Sequence, residues 1–306
     1  MPNDRYDVVI IGAGPAGIQA AIHASRKKTD VLLLGRIENS ALYSAHIENY
    51  AFTEGIQAGK DLLEAGHRQV TQFGTKIVPE DVLKISQNDN RFQLELESST
   101  EVTTRTLIFA MGVSKKKLSV PGEKELSGRG VSYCVDCDAN FYRGATVAVV
   151  GDRSAAVDGA LTLLGYAARV FLISQQLDVS PELLDRLEKS SVEVIVEAKV
   201  KTIEGENDVT GIELQNGDKI PLEGVFIEHG SKGALELATQ IGVQLDTEQF
   251  KYIDTNRKQE TNIPGIYAAG DIAGPPYQMA KAVGEGCVAG MEAATYSRKL
   301  KKKKSS

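Results

Sequence analysis

Tyr6-Asp7-Val8-Val9-Ile10-Ile11-Gly12-Ala13-Gly14-Pro15-Ala16-Gly17 is the stretch on which the fold turns. Its first half reads as a buried parallel strand, and a G-x-G-x-x-G follows at once and opens a helical run to about Arg26. Val31 to Leu34 is the next strand. Three glycines alone would say little, but between a strand and a helix they have a purpose. The backbone must turn tightly and approach a pyrophosphate, while the helix N-terminus offers N–H groups and the positive end of its dipole. The pattern is that of a dinucleotide-binding βαβ unit. The acid that holds a ribose about 20 residues on is displaced: the second strand ends in Gly35-Arg36, and Glu38 is the nearest candidate. Arg36 is placed to meet a phosphate of the dinucleotide's adenosine half.

Outward from this unit, Arg91 to Leu96 alternates as part of a meander, and Val102 to Met111 returns to an apolar strand ending at Ala110-Met111-Gly112. Lys115, Lys116 and Lys117 lead into Pro121-Gly122, a charged, turn-rich linker that puts a domain boundary near residue 116. Ala145 to Val150, Gly151, a helical run from Ser154 to Leu164 and a strand from Arg169 to Ile173 then repeat the first unit. Farther on, Ile253-Asp254 and Thr261 to Asp271 lead to a strand ending in a carboxylate, and an amphipathic run from Met279 to Tyr296 closes the chain as a helix. The fold class is α/β with two Rossmann-like domains.

Just before the second unit stands Cys134-Val135-Asp136-Cys137-Asp138. Two cysteines with two residues between them can close a small disulfide, and such motifs commonly hold one thiol at a depressed pKa. Asp138, directly behind, is placed to carry a proton. Asp136 opposes thiolate formation if its charge faces the sulfurs and does little if it points to solvent. Zinc would need four ligands, and the chain offers one further cysteine, Cys287, which falls in a helical pattern and reads as core. No metal site is expected. His23, His46, His67 and His229 are scattered and read as surface or satisfied core residues.

With 306 residues, 42% hydrophobic and 25% charged, the chain has the length and composition of a soluble two-domain protein. No apolar stretch approaches the roughly 18 residues of a membrane span. The polar start, Met1 to Tyr6, lacks the pattern of a secretory signal, so the expected location is cytoplasmic. Three cysteines in that reducing compartment leave a redox pair and a bystander rather than a disulfide framework. The net charge of −6 conceals six positive charges, Arg298, Lys299 and Lys301 to Lys304, so the rest of the chain carries −12. An acidic body excludes a nucleic-acid groove. The tail reads as a solvated, mobile end, with docking of an acidic partner as the alternative.

Three motifs together make the chain resemble, over nearly its whole length, the low-molecular-weight FAD-containing thioredoxin reductases. Gly12 to Gly17 matches that family's FAD pyrophosphate loop; Cys134 to Asp138 with Phe141-Tyr142-Arg143 matches its C-x-x-C-D segment; Ile263 to Asp271 matches its second FAD motif. Asn49, in Ile47-Glu48-Asn49-Tyr50, and Gln278-Met279-Ala280 at the start of the last helix also fit. The resemblance implies three-layer ββα domains: an FAD domain of residues 1–116 and 246–306, with a smaller domain of residues 117–245 inserted and carrying the dithiol. It implies a homodimer. The expected FAD contacts are Gly12, Gly14, Pro15, Ala16, Gly17, Arg36, Glu38, Asn49, Val82, Gly112, Asp271, Gln278, Met279 and Ala280. It implies that Cys137 faces the flavin, that Cys134 attacks the disulfide of thioredoxin or a thioredoxin-like protein, and that Asp138 gives and takes the proton. One site must then be buried and exposed in turn, which the family solves by rotating the inserted domain; residues 114–120 and 243–248 are the hinge candidates.

The second βαβ unit departs from that family. The ordinary reductases carry G-x-G-x-x-A there to bind NADPH, and a basic set after the next strand; this chain has Gly151-Asp152-Arg153-Ser154-Ala155-Ala156 and Ser174-Gln175-Gln176. Arg153 stands where a glycine lets a pyrophosphate approach, Asp152 adds a negative charge, and no cation reads a 2′-phosphate. No acid there suits the free 2′-hydroxyl of NAD either. Such erosion resembles the members that take electrons from reduced ferredoxin, and deeply branching relatives. Lys115 to Lys117 or the tail would steer an acidic ferredoxin. In the first domain, Glu38-Asn39-Ser40 replaces the Gly-Gly-Gln that runs along the FAD. The expected activity is therefore an FAD-dependent disulfide reductase that does not use NAD(P)H. Its alternatives are a dithiol oxidase using oxygen, whose relatives commonly carry His after the second cysteine, and a non-catalytic flavin redox sensor.

Overall fold

A computed structural model describes residues 5–88, 91–113, 117–248 and 250–305, the side chains of 303–305 excepted. Lys115 and Lys116 of the linker, and the side chains of Lys303 and Lys304, lie outside the described residues. The chain divides into two compact units, Met1–Leu96, Thr100–Val113 and Gly233–Ser306 in one, Glu97–Ser99 and Ser114–Lys232 in the other.

The first unit opens with β1 (Arg5–Ile11), α1 (Pro15–Arg26) and β2 (Val31–Leu34), as the sequence predicts. A short antiparallel pair, β3 (His46–Ile47) and β4 (Gln57–Ala58), precedes α2 (Gly59–Gln72) and β5 (Lys76–Val78). The meander β6 (Val82–Asn88), β7 (Arg91–Leu96) and β8 (Glu101–Phe109) follows. Val8, Ile10, Val31 and Leu33 pack with α1 on one face of the sheet, whereas Val9, Ile11, Leu32 and Leu34 pack with Phe92 and Leu94 of the meander on the other. That double burial is why these strands are apolar throughout.

In the second unit β9 (Val131–Ser132) leads into a single helical turn, α3 (Val135–Asp138). Then come β10 (Thr146–Val150), α4 (Ser154–Leu163), β11 (Arg169–Ile173), α5 (Pro181–Glu188) and β12 (Glu193–Ile195). An antiparallel sheet of β13 (Val200–Glu204), β14 (Gly211–Leu214) and β15 (Lys219–Pro221) precedes β16 (Gly224–Ile227). The main sheet is parallel in the order β12-β11-β10-β16-β9.

The return crossing lies at Lys232–Gly233, before the expected boundary at residues 245–246. The reason is α6 (Ala234–Thr239), whose Ala234, Leu237 and Ala238 are buried in the first unit's core. β17 (Ile266–Ala268) then pairs in parallel with the end of β8, while the start of β8 pairs with β7. The first sheet thus runs β5-β2-β1-β8, with β8 shared between the meander and β17.

The last helix, α7 (Met279–Ser305), continues well past Tyr296. Its cause is Asp7, 2% exposed in β1, which binds Lys301 Nζ at 2.6 Å and Arg105 at 2.7 Å. Lys301 is therefore a tie to the core, which corrects the reading of a mobile tail up to that residue. A Cβ on Gly286 or Gly290 would lie 2.2 Å from the carbonyl of Ala16 or Ala20, so α7 meets α1 backbone to backbone.

Candidate functional site

The loop after β1 in the first unit is shaped by its glycines. Gly12 has φ of +114°, and a Cβ there would lie 2.5 Å from Ala110 O; a Cβ on Gly17 would lie 1.8 Å from Gly12 O. Gly14 differs, since a Cβ there would approach only Ser40, at 3.2 Å from Oγ. Among the described residues Ser40 is the one that a side chain there would meet, and the rest of the face is open to a ligand. Gly14 is the N-cap of α1 and no side chain caps that end, while Pro15 opens the helix with the amide it lacks. Uncapped amides, a positive dipole end and an open glycine fit the pyrophosphate of the expected FAD.

The other expected contacts gather at the carboxyl ends of the same strands. Ala110 N–H donates to Ile11 O and Ala269 N–H to Phe109 O, so the turns after β1, β8 and β17 are neighbours. A Cβ on Gly270 would lie 3.0 Å from that of Ala16, which puts Asp271 against the first motif. Burial raises the Asp271 carboxyl above the usual range; Lys281 opposes this and Glu285 adds to it. Gly112 follows β8 in open space. Asn49 Nδ2 donates to Gln278 Oε1 at 3.0 Å, joining two residues far apart in sequence; Ala280 is exposed and Met279 packs on the core beside them. Arg36 is engaged, 3.2 Å from the buried Asp81, and the adjacent Val82 has its side chain in the core, so only its backbone can face a ligand. Glu38 is exposed on a 3₁₀ turn, and Ser40, which the sequence did not single out as a contact, is the residue of that segment facing Gly14.

Cys134 and Cys137 in the second unit form a disulfide, with Cα atoms 5.3 Å apart. Cys134 caps α3, its sulfur accepting from Cys137 N–H at 3.2 Å, and Glu228 Oε1 accepts from Val135 N–H at 3.0 Å. Asp138 is fixed by Ser132, whose hydroxyl donates to Oδ2 at 2.6 Å and accepts from Cys134 N–H at 3.1 Å. Asp136 does not simply face solvent: its Oδ2 lies 3.0 Å from the ammonium of buried Lys232. Ser132 and Lys232 escaped sequence reasoning. The first is a lone hydroxyl in a two-residue strand and the second is 96 residues from its partner. Cys287 is half-buried in α7.

The second βαβ loop is tied up by contacts within its own unit. Ala155 N–H, in the first turn of α4, donates to Gly230 O at 3.3 Å. Arg153 is turned toward Asp178, at 3.4 Å, and Asp178 N–H donates to Asp152 O at 2.8 Å. The Asp152 carboxyl lies 3.7 Å from His229 and is held below the usual range, first by its interaction with that ring. At the next strand end Ser174 is buried, its hydroxyl without a hydrogen-bond partner among the described residues, and Gln175 and Gln176 are exposed.

Comparison with known proteins bears on both units. The model of the pyridine nucleotide-disulphide oxidoreductases matches residues 6–286. The thioredoxin reductase of Listeria monocytogenes is 35% identical over 308 residues, covering 97% of this chain and 95% of that protein. The atypical thioredoxin reductase TRi from Desulfovibrio vulgaris Hildenborough superposes with a TM-score of 0.81 at 33% identity, covering 96% of this chain and 98% of that one. A ferredoxin-flavin thioredoxin reductase from Clostridium acetobutylicum gives 0.68 at 31% identity, covering 97% and 99%. With a family match across both units and relatives similar from end to end, the chain belongs to the pyridine nucleotide-disulphide oxidoreductases, as an FAD-binding oxidoreductase of the thioredoxin reductase kind.

Proposed function

We propose that the protein receives electrons from a donor other than NAD(P)H and delivers them through Cys134 and Cys137 to the disulfide of thioredoxin or a thioredoxin-like protein. The observation that carries this reading is the self-filled loop of the second unit. Ala155 N–H is spent on Gly230 O, and Arg153 and Asp152 are engaged by Asp178 and His229 where a pyrophosphate would lie. FAD, when bound, supplies the ability to accept electrons singly and release them as a pair. A one-electron carrier of ferredoxin type then suffices as donor, and one structural neighbour is a ferredoxin-flavin thioredoxin reductase.

On the protein side, Cys137 is the sulfur directed to the flavin and Cys134 the thiolate that attacks the partner's disulfide, since exchange requires direct attack. Asp138, oriented by Ser132, holds the proton for the departing thiol. Between these tasks the inserted unit rotates. Lys117, exposed in the linker, contributes positive charge to ferredoxin docking. The working form is a cytoplasmic homodimer; among the described residues no helix is long and apolar enough to cross a membrane.

The test is anaerobic formation of thioredoxin thiols with reduced ferredoxin, NADPH or NADH supplied separately. Thiols with ferredoxin alone are the expected result. Equal rates with NADPH, or oxygen consumption with a small dithiol and indifference to thioredoxin, would refute the proposal.

A further inference from the structure

Lys232 is 6% exposed, and its ammonium lies 3.0 Å from Asp136 Oδ2 and 2.9 Å from Asp158 Oδ2. Asp136 stands between the two cysteines, Asp158 belongs to α4, and Lys232 is the last residue of the second unit before the chain crosses back. Burying an ammonium is costly unless it is paired, and breaking such a pair leaves an uncompensated charge inside the protein. The surroundings are acidic. Asp138 lies at the end of α3, and Glu228, 8% exposed after β16, accepts from Val135 N–H. Tyr142 adds a phenol that is pushed up first by burial and then by the charge of Asp138. The turn that carries the dithiol thus holds Asp136 and Asp138 and is bonded to Glu228, and negative charge near the sulfurs opposes thiolate formation.

We propose that Lys232 is a positioning residue for the dithiol: through Asp136 it anchors the α3 turn and neutralises the carboxylate between the cysteines, so that the reduced pair keeps a reactive thiolate. Asp158 holds the ammonium from the α4 side. The proposal rests on Cys134 and Cys137 being the redox pair and is independent of the electron donor.

The test reads the thiols directly. The flavoprotein is reduced with dithiothreitol and freed of it, and iodoacetamide alkylation of Cys134 and Cys137 is followed separately by mass spectrometry from about pH 5 to about pH 10, a range spanning perturbed and ordinary thiols. Cys287 on α7 serves as the internal reference. In Lys232→Met the midpoint of the more reactive thiol rises by about one unit, so its alkylation at neutral pH slows about tenfold. Asp136→Asn moves the midpoint the opposite way, the double variant returns to within about twofold of the parent rate, and Lys232→Arg stays within about twofold. Cys287 does not move. Unchanged midpoints in both single variants, or shifts in the same direction as a loosened fold would give, overturn the proposal. Should Lys232→Met fail to fold, Asp136→Asn decides alone, and a midpoint that stays or rises is the contrary result.

Discussion

Asp138 accepts a hydrogen bond at Oδ2 from the Ser132 hydroxyl, and with the proposed proton-carrying role the two residues are expected to fail together. Asp138→Asn should lower thioredoxin reduction about a hundredfold or more, the usual worth of a general acid, and Ser132→Ala about tenfold, both measured as kcat with a saturating donor. Tyr133, just before Cys134, donates to Glu123, which also accepts from the amides of Leu118 and Ser119, so this phenol ties the linker to the dithiol strand. Burial and then that hydrogen bond push the phenol up to about 12. The folded state therefore holds this proton more tightly than the unfolded chain; the stabilisation is complete below about pH 10 and is lost as pH rises toward about 12. The absorbance difference between the parent and Tyr133→Phe should show one tyrosine ionising near the upper value, and ionisation near 10 would count against the contact. At this scale the Cys134–Cys137 pair was legible because its bond lies in local spacing. Lys232 was not, since nothing at Ser231-Lys232-Gly233 announces a partner 96 residues away.

The loop between β1 and α1 carries a sharper prediction, because its constraint is steric. Gly12→Ala must place a Cβ 2.5 Å from a carbonyl oxygen with φ at +114°, which should cost about 2–3 kcal/mol and displace the FAD loop. The flavin-to-protein absorbance ratio after gel filtration should fall below half of the parent's. The end of α7 tests the tie to β1. Lys301→Ala should lose about 0.5–1 kcal/mol in urea unfolding, its side chain being half exposed, whereas Asp7→Ala, which strips both Arg105 and Lys301, should lose about 3 kcal/mol. Equal effects would show that Lys301, not Arg105, carries the stabilisation at Asp7. The buried strands and α1 were legible as unbroken apolar or periodic runs. The last turns of α7 were not, because a lysine run looks solvated until its carboxylate is found in β1. The sheet β13-β14-β15 went unread, since its strands are only five, four and three residues long and show little periodicity.

For the whole molecule, the sequence showed two βαβ units and a difference between their loops, since one keeps its three glycines and the other carries Arg153. It did not show where the chain re-enters the first unit. A short helix whose three apolar residues complete a distant core has no local signature, so α6 was read as part of the second unit. Nor could it show that Ala155 N–H meets Gly230 O and that Arg153 turns to Asp178, the contacts on which the proposal rests. If an acidic one-electron carrier docks on positive charge, ferredoxin-driven reduction should slow about tenfold or more between low and physiological salt, as steered encounters do. The central claim, that electrons enter through FAD without a pyridine nucleotide, is tested most directly by following the flavin absorbance anaerobically while NADPH, NADH and reduced ferredoxin are added in parallel. Bleaching by ferredoxin at low salt, with none by either nucleotide, is the predicted result; stoichiometric bleaching by NADPH or NADH would contradict it.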